Sequence, residues 1–352
     1  MYTPIDTPAN WNAAEIAADT AWIHHFTAAE LAEIDAALRH AQAKGVSFET
    51  ITKEDFPLPT VSEVFAAGRL QLEDGVGMQH YRGIDTQRYS KQEMRLIYWA
   101  FGLHLGTPLS QSMHGDVLGD VLNRNTDLDG PKGRGYTSNR KLNCHTDSCD
   151  VVALFVMRTA KEGGASKLAS SVALHNEILR TRPDLLEVLY QPFYWSWQGQ
   201  EAPGSKPYYP QPVFTMHNGK FACRYVRTHI TSAQRFEEVP RLTPQQIEAL
   251  DLLDTLSQSD QFSLTMMFEP GDMQLLNNHV TLHARTEFVD YDEPDRKRHL
   301  LRMWLSTPNS RDLSPQLGYI YRNLDGGTVR GGFPSRTGQH IYETRIGEAM
   351  LD

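Results

Sequence analysis

Apolar residues recur at helical spacing in several stretches of the chain. In TAAELAEIDAALRHAQAKG, Leu31, Ile34, Leu38 and Ala41 follow a 3-4-3 spacing, which predicts a helix with one buried face. Thr27 stands as its N-cap with Glu30 three residues on, and Gly45 as its stop. SKQEMRLIYWAFGLHLG repeats the device with Ser90 and Glu93. TPQQIEALDLLDTL places Thr243 as cap, Pro244 at the first helical position and Gln246 as box partner. A fourth helix is predicted in SSVALHNEILRTR, ending near Pro183.

The remaining apolar runs are short and β-branched. DVVALFVMR (150–158), FSLTMMF (262–268), MQLLNN (273–278) and HLLRMWLS (299–306) read as strands. PVFTMHNGKFACRYV (212–226) reads as a hairpin with Asn218-Gly219 as its two-residue turn. These strands do not alternate regularly with helices. The pattern predicts one α+β domain with a mainly β core, its antiparallel sheet closed or folded into a sandwich.

Composition adds exclusions. A hydrophobic content of 40% and a charged content of 22% are ordinary for a soluble globular protein. No run of 18 apolar residues marks a membrane span, and the first residues lack the pattern of a secretory signal. Cys144, Cys149 and Cys223 are too few for a disulfide framework, so a reducing cytoplasm is the expected location. A net charge of −9 argues against a nucleic-acid backbone as partner. The expected partner is a small molecule, and a homo-oligomer is compatible with the sequence.

Candidate chemistry begins with His-x-Asp. With 14 histidines in 352 residues, about one such triplet arises by chance, and the chain has two: His114-Gly115-Asp116 and His145-Thr146-Asp147. The first lies in a glycine-marked loop. The second abuts the apolar run 150–158, and if His145 and Asp147 lie on a strand they share a face. One histidine and one carboxylate make an incomplete metal site, and a 2-His-1-carboxylate triad needs a third ligand. His283 is a candidate, with His279 a competitor. Arg298 and Arg302 then share a face of the strand RHLLRMWL, where guanidinium groups would be costly without an anion to meet. Their alternative is pairing with local acids such as Asp295.

The order His-x-Asp, Gly163-Gly164, distal histidine and paired arginines resembles the taurine dioxygenase/TfdA-like family of Fe(II)- and 2-oxoglutarate-dependent oxygenases. The family's gamma-butyrobetaine hydroxylase and clavaminate synthase relatives share it. HYRGID (80–85), EGGASKLAS (162–170), LHARTEF (282–288) and RHLLRMWL (298–305) carry the resemblance, which covers roughly residues 80 to 306. It implies a double-stranded β-helix, or jelly roll, decorated with helices. The expected layout is a single oxygenase domain over 1–352: helical decoration over 1–79, jelly-roll core with a helical insert over 80–306, and a covering segment over 307–352. The resemblance implies His145, Asp147 and His283 as iron ligands, Arg298 on the distal carboxylate of 2-oxoglutarate with Ser166 assisting, and Arg302 on a substrate acid group or the cosubstrate's near carboxylate. Iron(II), 2-oxoglutarate and O2 are the implied cofactors, with succinate and CO2 released. Halogenating relatives commonly carry a small residue at the carboxylate position, so Asp147 disfavours halogenation.

Signals for the substrate are weaker. Trp195 and Trp197 share a strand face in FYWSWQG and are candidates for lining a pocket. Arg224 and Tyr225, in RYVRTHI, lie where relatives contact substrate. Asn143, Asn123 and Tyr136 are lesser candidates. No cysteine precedes Cys144, so the N-terminal zinc module typical of the betaine hydroxylases is not expected. The implied substrate is a small organic acid, amino acid or secondary-metabolite intermediate. The alternatives are a jelly-roll metalloprotein working without 2-oxoglutarate, such as a cupin-like isomerase or lyase, and a non-catalytic protein that kept the fold.

Overall fold

The computed structural model of the protein describes residues 2–124 and 138–343. The predicted caps form as drawn. The helix Ala28–Lys44 opens on a capping box between Thr27 and Glu30 and closes on Gly45 in the left-handed region. Lys91–Leu105 and Pro244–Gln258 open on the Ser90/Glu93 and Thr243/Gln246 boxes. The helix Ser171–Thr181 stops before Pro183, which opens a second short helix, Pro183–Leu189. Asn218 and Gly219 sit at φ 46° and 74°, and His217 faces Lys220 across the hairpin. Both turn residues need positive φ, which this pair tolerates.

Two sheets face each other. Among the described residues the larger has seven strands, ordered Ile23–His25, Met78–Arg82, Met273–Asn277, Val151–Arg158, His299–Ser306 and Thr107–Leu109, with Gly119–Val121 also beside His299–Ser306. Its pairings are antiparallel except between the first two strands. The smaller runs Ser263–Met266, Ser166–Ser170, Thr281–Arg285 and Leu142–His145. This is the expected helix-decorated jelly roll. The larger sheet begins before residue 80, because Ile23–His25 adds an edge to it.

Side-chain alternation divides the interior. On the central strands, Val151, Ala153, Phe155, Met273, Leu275, Leu301, Met303 and Leu305 join the core beneath the helices Ala28–Lys44, Val61–Glu73 and Lys91–Leu105. Their neighbours Val152, Leu154, Gln274, Leu300, Arg302 and Trp304 turn into the space between the sheets. With both faces covered, these strands read as continuous apolar runs. Leu282 and Ala169 on the smaller sheet's outer face pack under the helices Ser171–Thr181, Pro183–Leu189 and Pro244–Gln258. Among the described residues no helix is long and apolar enough to cross a membrane.

Leu301 is fully buried on the helix side of the strand that carries both arginines. Leu301→Ala is expected to lower stability by about 2–5 kcal/mol through cavity formation, measured as a shift in the denaturant midpoint with unchanged slope.

Candidate active site

The space between the sheets holds the candidate site. Thr281–Arg285 pairs with Leu142–His145 so that His283 lies opposite His145, and the two rings stand 4.3 Å apart. The sheet register thus brings together histidines 138 positions apart. Asp147 reaches them differently from the strand geometry expected. The strand ends at His145, and Asp147 sits in the loop that crosses to the larger sheet. The turn of that loop, not strand alternation, aims its carboxylate. Donor atoms of His145, Asp147 and His283 lie within 4.8 Å of one another, the one such metal-competent group among the described residues.

The loop is clamped from several sides. The Thr146 N–H donates to the Tyr225 carbonyl at 2.8 Å, and the Asp147 N–H to Asn278 Oδ1 at 2.8 Å. Arg224, fully buried, donates to the Thr146 carbonyl at 2.8 Å, to its hydroxyl at 2.9 Å and to Ser148 Oγ at 2.9 Å. His145 Nδ1 lies 2.8 Å from the Asn143 carbonyl, which makes Nδ1 the protonated nitrogen and leaves Nε2 its lone pair.

Burial lowers the pKa of His283 to about 3, with the neighbouring His145 adding to the effect. Burial lowers that of His145 too, against the pull of Asp147. Both rings are therefore neutral, as ligation requires. Burial opposes ionisation of Asp147, but Arg302, then the two histidines and the Trp304 N–H, outweigh it and hold its pKa below the usual carboxylate range.

At the far end of the cavity lie Arg298, Arg285, Ser166 and Gly164. Gly163 and Gly164 both take positive φ. A Cβ on Gly163 would meet the Glu287 carbonyl at 2.2 Å, so the predicted Gly-Gly turn serves this close approach. The Asp290 carboxylate accepts the Arg298 backbone N–H at 2.8 Å, which fixes the arginine's register after the long loop. Arg298 is 5% exposed and its Nη1 has no hydrogen-bond partner among the described residues. Burial, with Arg285 nearby, pushes its pKa down to about 9. Asp295, the alternative partner, does not hold it. Arg302 lies nearer the histidines. Its Nε donates to Gln111 Oε1 at 2.7 Å, and its Nη1 is 4.0 Å from Asp147.

The structure does not bring several predicted residues to this cavity. Trp195 is fully buried in the core beneath the smaller sheet, its indole donating to the Gln211 carbonyl at 2.8 Å. Trp197 falls past the end of the strand Phe193–Ser196 and packs on Tyr209. Arg224 is spent on the loop, and the Tyr225 hydroxyl donates to Asp254 at 2.7 Å. The Asn143 side chain faces solvent; its carbonyl orients His145. Tyr136 lies outside the described residues. His279 is buried against Asp150 at 2.8 Å, and Asp116 takes the Ser112 hydroxyl and does not line the cavity. Cys144 and Cys149 are buried, and burial raises the pKa of both thiols.

Sequence reasoning missed Gln111, Gln274, Arg285 and Trp304. Arg285 donates to the Ser138 carbonyl at 2.7 Å and also to that of Arg140. Gln274 accepts from Ser166 Oγ at 3.3 Å. Trp304 donates to Asp147 Oδ2 at 3.0 Å. A period-2 reading of MQLLN and RHLLRMWL, treating the polar or odd residue on each inward face as part of the site, would have found Gln274 and Trp304.

The chain is similar to known proteins in sequence and in fold. The family model described as taurine catabolism dioxygenase TauD, TfdA family matches residues 40–304. FR-33289 synthase of Streptomyces rubellomurinus is 31% identical over 89% of this chain and 94% of its own. The taurine hydroxylase-like protein SAT17 of Stachybotrys chartarum is 27% identical over 83% of this chain and 77% of its own. An asparagine oxygenase solved with Fe(II), 3-hydroxyasparagine and succinate shares the fold at a TM-score of 0.63 and 16% identity, over 81% of this chain and 93% of its own. The non-heme iron oxygenase OrfP, solved with Fe and alpha-ketoglutaric acid, does so at 0.61 and 15%, over 80% and 93%. By its sequence and its fold together, the chain belongs to the TauD, TfdA family of Fe(II)- and 2-oxoglutarate-dependent oxygenases.

Proposed function

We propose that the chain hydroxylates an unactivated C–H bond of a small organic acid, amino acid or secondary-metabolite intermediate, with His145, Asp147 and His283 holding the iron. The observation that carries the reading is the pairing of a converged two-histidine, one-carboxylate set with a buried guanidinium that has an unpartnered nitrogen in the same cavity. Two imidazoles and one carboxylate suit non-heme Fe(II), and leave coordination positions for other ligands. When bound, iron with 2-oxoglutarate and O2 supplies the oxidising power, and succinate and CO2 leave.

The protein's own residues do the rest. Arg298 meets the distal carboxylate of 2-oxoglutarate, because a guanidinium matches a carboxylate bidentately and, among the described residues, no anion bonds the Nη1 of this buried one. Ser166, on the strand facing Arg285, adds a hydroxyl there. Leu154, Leu300, Val121 and Phe268 form an apolar wall that excludes water from the reacting bond. Gln111 fixes the Arg302 fork near the metal end, where it meets an acid group of the substrate or the near carboxylate of the cosubstrate. The amino-acid member of this class is supported by the fold neighbour solved with 3-hydroxyasparagine. An activity independent of 2-oxoglutarate would leave Arg298 buried to no purpose.

Anaerobic addition of Fe(II) and 2-oxoglutarate should give a weak visible charge-transfer band, lost in His145→Ala and in Asp147→Ala. A band persisting in both variants contradicts the ligand assignment. Arg298→Ala should raise the 2-oxoglutarate KM on the order of 10- to 100-fold, with little effect on metal affinity, read from succinate release. Because the lowered pKa values of His145 and His283 leave no proton to displace at neutral pH, metal affinity should stay nearly flat from about pH 7 to pH 6. Solvent-exposed histidines would instead lose affinity over that range as they protonate. Calorimetric titration with Co(II) at both pH values distinguishes the two.

A further inference from the structure

Asp147 is the one carboxylate of the ligand set and the one member off the sheet. No strand ladder fixes its side chain, and a carboxylate rotates broadly about its last torsion. Its Oδ2 is nonetheless the oxygen that faces His283, at 3.8 Å, and Arg302, at 4.0 Å. That same oxygen accepts the indole N–H of Trp304 at 3.0 Å, out of solvent. Trp304 stands on the interior face of His299–Ser306, two residues past Arg302 and opposite Val152. Its ring is held by contact with Phe333, whose centroid is 5.9 Å away, and by the Arg302 guanidinium 5.4 Å over it. Phe333 belongs to a segment pinned to the same loop, since the Gly332 N–H donates to the Ser148 carbonyl at 2.6 Å.

We propose that Trp304 is a positioning residue for the metal. Its N–H fixes the rotamer of Asp147 so that Oδ2 points between the two imidazoles. This rests on the reading of His145, Asp147 and His283 as iron ligands. An indole N–H is donor only, so the sense of the bond cannot reverse. A carboxylate oxygen that accepts one hydrogen bond keeps lone-pair capacity for a cation, so the bond orients the ligand without using it up. The clamped loop brings the carboxylate to the histidines, and the indole N–H on the neighbouring strand fixes which way its oxygens turn. The residue acts as an outer-shell partner of the kind whose loss weakens metal binding while the ligands themselves remain.

The test uses Co(II) as probe on the full chain, with affinity from calorimetry and ligand-field absorption as a second readout. Trp304→Phe keeps the ring and removes the donor. It should unfold near the parent's temperature without metal, yet bind Co(II) about 10- to 100-fold more weakly and with an altered visible spectrum. Phe333→Leu loosens the packing behind the ring and keeps the donor, so its Co(II) affinity should stay near the parent's. Equal losses in the two variants would assign the effect to packing and overturn the proposal. So would a Trp304→Phe variant with parental affinity and spectrum. A parent chain that binds no Co(II) would overturn the ligand assignment as well, which separates the two failures. On the unmutated chain, Zn(II) should shift the Trp304 indole N–H resonance while the other tryptophans hold still. An unmoved resonance contradicts the proposal even if the variant fails to fold.

Discussion

The site depends first on one pairing, His283 against His145 across two antiparallel strands. In such a pair, directly opposed side chains on one face come within about 5.5 Å of each other at Cβ. A slip of one residue would send either histidine to the outer face, where Cys144 and Leu282 pack under helices. The register is held because that outer face is apolar and buried. The same strand then carries Arg285 two residues on, opposite Ser166, so the histidine pair and the arginine end of the cavity are laid out along one strand. The second sheet supplies the facing wall, with Arg298, Leu300, Arg302 and Trp304 alternating inward along its edge of the cavity.

The second constraint is electrostatic. Arg285 and Arg298 are both buried at the far end, each pushed down in pKa by burial, and the charge of Asp290 opposes the shift in both. Buried cations without full neutralisation are costly, and such violations of the usual rules concentrate at functional sites. Here the cost is offset in part by backbone carbonyls on Arg285 and by aromatic contact, since Phe288 lies under both guanidinium groups at 4.6 and 5.1 Å. An arriving carboxylate would complete the balance. Arg224 is another buried cation, but its hydrogen bonds go to Thr146 and Ser148, so its role is mechanical.

Much of this was legible in the sequence. Capping boxes gave the helices because their signals are local, and Asn218-Gly219 gave the hairpin for the same reason. The strands 151–158 and 299–306 were visible as apolar runs, and the converging His145, Asp147 and His283 through their order along the chain. What stayed hidden depends on tertiary placement. Strand alternation suggested that Asp147 shares a face with His145, but the chain leaves the sheet at that point. Trp195 and Tyr225 have the composition of pocket residues and belong to the core, because a fully buried aromatic and a pocket aromatic look alike in sequence. Arg224 stands where relatives contact substrate, but its partners here are the Thr146 carbonyl and the Thr146 and Ser148 hydroxyls, which carry no motif. Gln111 is 191 positions from Arg302, and nothing local links them.

In the proposed enzyme, His145, Asp147 and His283 form one metal centre with Arg298 facing a bound dicarboxylate. The most direct measurement is an anaerobic crystal structure with Fe(II) and 2-oxoglutarate, with the metal located by anomalous scattering. The account predicts one anomalous peak bonded to those three residues and a dicarboxylate running from it to Arg298. A peak at His114 and Asp116, a peak at His279 and Asp150, or a cosubstrate that does not reach Arg298 would contradict it.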